Sequence, residues 1–242
     1  MVYFASSDTG RIRQLNEDFC FATAKPIGCL PNLFVVCDGM GGHNAGEYAS
    51  EFTIRRMLEE LRSIEPIDPF DAFSRSIAAA NHMVHQTSVK DIDKTGMGTT
   101  LVCATIVNKV LFVANVGDSR LYVRDDKGFR QVTRDHSYVE EMVRKGILNR
   151  SEARHHRDRN KITRAIGVFE DVQIDYFDLD VTDHMQILLC TDGLTSMLED
   201  QEIDRLISTG GDVQVKVERL IRAANVHGGK DNITVILVDT GE

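Results

Sequence analysis

The sequence predicts an α+β fold built on mainly antiparallel sheet. Three observations carry this. Short apolar runs are the commonest element, and from residue 97 onward they succeed one another as a meander, not as a β-α-β alternation. Asn108-Lys109 is a two-residue turn between β-rich runs, which is a hairpin signal. Amphipathic helical stretches sit outside that meander, near the middle of the first half and close to the C-terminus. The 242 residues show no internal repeat, no low-complexity run and no linker, so 1–242 is read as one domain.

Taken in order, residues 2–7 and 18–23 read as strands around a polar connection that ends in Glu17-Asp18. The apolar run Leu33-Phe34-Val35-Val36-Cys37 reads as a buried strand. A helix over 46–61 comes next, with Ala49, Phe52, Met57, Leu58 and Leu61 on one face. Pro66 and Pro69 interrupt the pattern before a second helix over about 69–89. Strands are expected at 98–107, 110–116, 121–123, 129–133, 172–179 and 185–191. Helices are expected around 199–208 and 212–226, and a last strand over 233–238. Residues 137–166 stand apart, with eight Lys or Arg against four acids. They read either as a solvated helical insertion or as a mobile basic flap that attracts phosphorylated substrate, densest from Arg154 to Arg159.

Composition excludes several classes. A net charge of −9 argues against general nucleic-acid binding. No run approaches the apolar length of a membrane span, and the first residues lack the basic and apolar regions of a signal peptide. Five cysteines without a Cys-x-x-Cys motif fit free thiols in a reducing compartment, so a cytoplasmic protein is expected. No leftover apolar stripe asks for a partner, so a monomer is expected. His82 and His85 lie three apart on a helix, but no third ligand stands near. Asp91-Ile92-Asp93 resembles a calcium loop until its twelfth position, Val102, where a glutamate is needed.

The chemistry lies in the aspartates. Apolar runs end at Asp38-Gly39, Gly117-Asp118 and Asp192-Gly193, and Asp231-Asn232 opens the last one. Adjacent Glu17 and Asp18 repel unless a cation sits near them. Carboxylates with a backbone carbonyl, here that of Gly39, are hard ligands suited to Mg or Mn. Asp38 is the bridging candidate; Asp192 and Asp231 complete one ion, and Glu17, with Asp18 behind it, serves a second. Water held between two such ions becomes a nucleophile near neutral pH. Arg13 supplies a forked donor for a phosphate dianion. The set points to direct phosphoester hydrolysis with no covalent intermediate.

In this order the pieces resemble the metal-dependent serine/threonine phosphatases of the protein phosphatase 2C family, in particular its compact bacterial branch. The matching stretches are Ser7-Asp8-x-Gly10, Arg13-x-x-Asn16-Glu17-Asp18, Asp38-Gly39-Met40-Gly41-Gly42-His43, Gly98-Thr99-Thr100, Val116-Gly117-Asp118-Ser119-Arg120, Thr133-x-Asp135-His136-Ser137, Thr191-Asp192-Gly193 and Lys230-Asp231-Asn232-Ile233-Thr234. The resemblance implies a four-layer α/β/β/α sandwich and Mn or Mg at Asp38, Gly39, Asp192 and Asp231. It also implies a weaker third ion at Asp118 with Asp192, and a flap over 137–170. Phosphorylated proteins, including a cognate Ser/Thr kinase and its substrates, would be the partners. One departure is Met40, where eukaryotic relatives carry a histidine proposed as the acid for the leaving group; His43, a metal-bound water and a water on the ion at Asp118 are the candidates for that role here. The rival readings are an inactive regulatory protein of the same fold and a hydrolase of a narrower phosphoester.

Overall fold

A strand whose residues are apolar without a break is buried on both faces, because successive side chains point to opposite sides. The strand β3 (Leu33–Met40) is built this way. Its Leu33, Val35 and Cys37 join one apolar cluster, while Phe34 and Val36 join another. The same division runs through β5 (Leu101–Val107), β10 (Gln186–Cys190) and β11 (Ile233–Asp239). The continuous runs thus create a central layer between two sheets and an outer layer on each side. These details come from a computed structural model, which describes residues 1–42, 45–65 and 67–241.

One sheet has the order β1-β11-β10-β7-β8, with β1 (Val2–Asp8), β7 (Arg120–Asp125) and β8 (Gly128–Gln131) joining the two strands already named. The other has the order β2-β3-β5-β6-β9, adding β2 (Asp18–Thr23), β6 (Val110–Val116) and β9 (Asp175–Asp180); the short β4 (Gly98–Thr99) pairs with β3. Every pairing is antiparallel. Asn108 and Lys109 both take positive φ, 51° and 62°, as a type I′ hairpin turn requires. The helices α1 (Ala45–Ser63) and α2 (Pro69–Lys90) cover the second sheet through Met57, Leu61, Phe73 and Ile77. Asp68 caps α2, and Pro69 at its first position needs no hydrogen-bond acceptor. On the far side, α6 (Asp200–Ser208) and α7 (Val213–Val226) cover the first sheet through Ile203, Ile207, Val217 and Leu220. The four layers are those the resemblance implies.

Some details differ from the sequence reading. The strand expected over 98–107 is two strands broken at Thr100. The strand expected over 172–179 runs 175–180 instead, because Val172 and Ile174 pack on the helix-side core before the ladder starts. The basic segment carries α3 (Tyr138–Arg144) and α4 (Arg150–His155). A one-turn helix, α5 (Asp192–Thr195), is absent from the sequence reading. His82 and His85 contact Gln86 and the Gly167 carbonyl respectively, not each other.

Antiparallel pairing brings the acidic strand ends to one edge. Asp18 at the start of β2 stands opposite Asp38 near the end of β3. Cys190 at the end of β10 stands opposite Val235 of β11 on one side and Arg120 of β7 on the other. The residues just beyond these ends, Asp118, Asp192 and Asp231, therefore gather at that same edge.

Candidate active site

Asp38 is held by its own peptide. Its N–H donates to Thr100 Oγ1 (2.9 Å), and its carbonyl accepts from Thr100 N (2.9 Å) and Thr99 Oγ1 (2.8 Å). The break between β4 and β5 frees Thr99 and Thr100 to make these bonds. Thr100 Oγ1 also meets Ser119 Oγ at 2.7 Å, which ties the Asp38 strand to the loop bearing Asp118. Beside Asp38, a Cβ on Gly39 would stand 2.0 Å from the Gly46 carbonyl oxygen and 2.5 Å from that of Glu17. Only glycine lets these three backbones meet. Gly39 N–H donates to the Glu17 carbonyl at 3.0 Å, and Ser50 Oγ to the same oxygen at 2.6 Å.

Asp18 is buried, and its Oδ2 accepts from Thr191 Oγ1 (2.8 Å) and Thr234 Oγ1 (2.7 Å). Thr234 is on β11 of the opposite sheet, and Thr191 directly follows that sheet's β10. Asn232 fixes the backbone of Glu17 instead: its Oδ1 accepts the Glu17 N–H (2.9 Å), while its Nδ2 donates to the carbonyls of Thr9 and Leu15. Arg13 Nη2 donates to Asp231 Oδ2 at 2.9 Å, and Nη1 lies 3.6 Å from Glu17 Oε2. The guanidinium reserved by the sequence reading for phosphate thus rests on two of the acids, half exposed at the rim.

Charge is crowded here. Burial, and then the carboxylates of Asp18, Asp192, Asp118 and Asp231, push Asp38 well above the ordinary carboxylate range. Burial, and then Asp192, do the same for Asp118. Burial raises Asp18 to about 7 and Asp192 to about 6. Glu17 is also raised by burial, with Arg13 opposing. The hydrogen bond to Asp231 raises Arg13.

The donor set fits hard cations. Glu17 Oε1, Asp18 Oδ1 and Asp192 Oδ1 are buried and have no hydrogen-bond partner. A buried carboxylate oxygen without a partner is costly, and a divalent cation removes that cost. Among the described residues no three Asp, Glu, His or Cys side chains already close on one point. An ion here would keep part of its shell as water, as Mg and Mn do. The sequence-predicted residues Arg13, Glu17, Asp18, Asp38, Gly39, Asp118, Asp192 and Asp231 are therefore brought to one place. His43 lies outside the described residues. The sequence reading misses the hydroxyls of Thr191 and Thr234, the Thr100–Ser119 pair and the Asn232 amide.

The model of the family described as Protein phosphatase 2C matches residues 4–233. The chain belongs to the protein phosphatase 2C family. Among this phosphatase's relatives, Serine/threonine phosphatase stp of Listeria monocytogenes serotype 4b (strain F2365) is 37% identical over 96% of this chain and 93% of its own. The crystal structure of Serine/threonine phosphatase Stp1 from Staphylococcus aureus superposes with a TM-score of 0.90 at 34% identity, covering 99% of this chain and 94% of that one. The PstP catalytic domain in complex with 2 manganese ions has a TM-score of 0.88 at 30% identity, over 100% and 98% of the two chains. This phosphatase 2C chain is a serine/threonine phosphoprotein phosphatase, and metal dependence is typical of its family. Among its described residues no helix is long and apolar enough to cross a membrane.

Proposed function

We propose that the chain hydrolyses phosphoserine and phosphothreonine on proteins with Mn or Mg held by Asp38, the Gly39 carbonyl, Asp192 and Asp231. Glu17 and Asp18 serve a second ion, and Asp118 with Asp192 a weaker third. The observation that carries this reading is the set of bare buried oxygens on Glu17, Asp18 and Asp192 in one crowd of carboxylates. Bound there, divalent cations supply a Lewis acid for the phosphoryl oxygens and acidify water for direct attack on phosphorus, without a phosphoenzyme.

The chain's own groups do the rest. Thr99 and Thr100 orient Asp38, and Thr191 and Thr234 turn the bare oxygen of Asp18 inward. Arg13 transfers its fork from Asp231 and Glu17 to the arriving phosphate, which is the stronger acceptor. The buried thiols do not compete as nucleophiles: burial pushes Cys37 well above its ordinary value and does the same to Cys103 and Cys190. Many cations of the basic segment are already paired. Arg150 pairs with Glu140, Arg157 and Lys161 with Asp158, Arg154 with Glu199, and Arg164 with Asp175. Arg144, Lys145 and Arg159 have no acidic partner among the described residues, and we assign them the attraction of acidic substrate. The free cysteines favour a reducing, cytoplasmic setting, where a cognate Ser/Thr kinase and its substrates are the phosphoproteins at hand and the enzyme works as a monomer.

The test is turnover of p-nitrophenyl phosphate and of a phosphothreonine peptide with and without Mn. Turnover is expected only with metal, and it should be lost in Asp38→Asn and Asp231→Asn. Full activity in EDTA would overturn the reading. Failure to bind Mn at all by calorimetry would favour the regulatory alternative.

A further inference from the structure

The Thr133-x-Asp135-His136-Ser137 stretch takes no part in the chemistry above, yet its His136 is buried. The ring Nδ1 faces the Gly117 N–H at 3.1 Å, so this nitrogen carries the lone pair. The ring proton is then on Nε2, which lies 3.2 Å from Asp175 Oδ2. Arg164 Nη1 lies 3.3 Å from Nε2 and donates to Asp175 Oδ1 at 2.6 Å; with the ring proton on Nε2, that nitrogen has no lone pair to accept from the guanidinium. The backbone repeats the link: His136 N–H donates to the Gly117 carbonyl (2.9 Å), and Thr163 N–H to the His136 carbonyl (2.7 Å). Burial lowers the affinity of the ring for a second proton.

What this ring holds is specific. Gly117 precedes Asp118 and has a φ of +107°, and a Cβ on it would strike Thr100 Cβ at 2.7 Å. With its N–H on His136 and its carbonyl shared by His136 and Asn115, Gly117 has no freedom, and the direction of Asp118 is set. On the other side, Arg164 and Thr163 end the basic segment, and Ser137, which begins it, bridges to Ile162. Asp175 is the first residue of β9.

We propose that His136 is a positioning residue that pins the Asp118 loop and the closing end of the basic segment to each other, working as a neutral imidazole protonated on Nε2. Its two nitrogens have separate duties: Nδ1 sets Asp118, and Nε2, through Asp175 and Arg164, sets the segment. The inference rests on the proposed cation role of Asp118 and on that segment meeting the protein substrate. Arg120 stiffens the same junction, with its Nε and Nη2 forked onto Asp135 at 2.7–3.1 Å.

The experiment has two arms. Nitrogen-15 NMR of the wild-type imidazole should show Nε2 protonated and Nδ1 bare; the opposite tautomer overturns the proposal without reference to any metal. Two isosteres then separate the duties. His136→Asn keeps an acceptor where Nδ1 stands, and His136→Gln keeps a donor where Nε2 stands. For His136→Gln, Mn titrated by calorimetry should bind its weakest site roughly tenfold less tightly. For His136→Asn, Mn binding and p-nitrophenyl phosphate turnover should stay within about twofold of wild type, while KM for a phosphoprotein rises several-fold. Equal loss of Mn affinity in both variants would show a merely structural histidine and sink the division of labour. Should neither variant fold, the tautomer decides. Wild-type protein that turns over p-nitrophenyl phosphate without Mn condemns the metal reading and leaves the tautomer result standing.

Discussion

Two hydroxyls, from Thr191 and Thr234, satisfy one oxygen of Asp18 and leave the other bare. Such outer partners govern how well an acid presents itself to a cation. Thr191→Val or Thr234→Val should weaken Mn binding roughly 10–100-fold, read by calorimetry on protein whose circular dichroism is unchanged. Arg13→Lys keeps the charge and removes the fork. With about 1.5–3 kcal/mol of charge-assisted hydrogen bonding at stake, kcat/KM on a phosphothreonine peptide should fall at least about tenfold. An undiminished value would remove Arg13 from phosphate binding. At this scale the acids are legible in the sequence, because an aspartate that ends an apolar run is a local pattern. The threonines are not: a hydroxyl in or just beyond a strand has many uses, and only the facing of two sheets reveals which acid it serves.

Helices and strands are legible for the same reason, since period and apolar run are local properties. The bounds of α2 and β11 agree with the pattern to within a residue or so. The misses have one cause. The break at Thr100 and the single turn of α5 answer to contacts with Asp38 and with β11, which lie far off in sequence. The turn into α5 also makes a demand on size. A Cβ at Gly193 would stand 1.9 Å from the Asn232 carbonyl oxygen, the residue next to Asp231. Gly193→Ala must push two backbones apart. It should cost about 1–3 kcal/mol in urea unfolding and lower Mn affinity with it. A variant that loses stability but binds Mn normally would show that the contact serves packing alone.

Across the whole molecule the crowd of acids opposes folding until it is neutralised. Asp18 and Asp192 take protons more readily when folded, at about 7 and about 6, than at the ordinary 3.8. Between those values the folded chain binds more protons than the unfolded one, so metal-free stability falls as pH rises from about 4 to about 7. In EDTA the melting temperature should be higher at about pH 5.5 than at about pH 8. Mn should reverse the order, because it binds the deprotonated acids of the folded state only. A metal-free melting temperature that climbs toward pH 8 would contradict the charge crowding. Asp192→Asn should raise the metal-free melting temperature and abolish the rise that Mn brings. The meander and the buried runs make the antiparallel sheets legible; that the two sheets share one acidic edge is not, since strand order is not written locally. The layout also bears on damaged copies. Asp18 and Asp38 lie on strands of one sheet, while Thr234 lies on the last strand of the other and Thr191, Asp192 and Asp231 flank the ends of its β10 and β11. A nick or truncation that frees the last strand cannot leave half a catalyst behind. It should silence the enzyme outright, so that partial proteolysis in a cell ends signalling traffic through this protein instead of loosening its control.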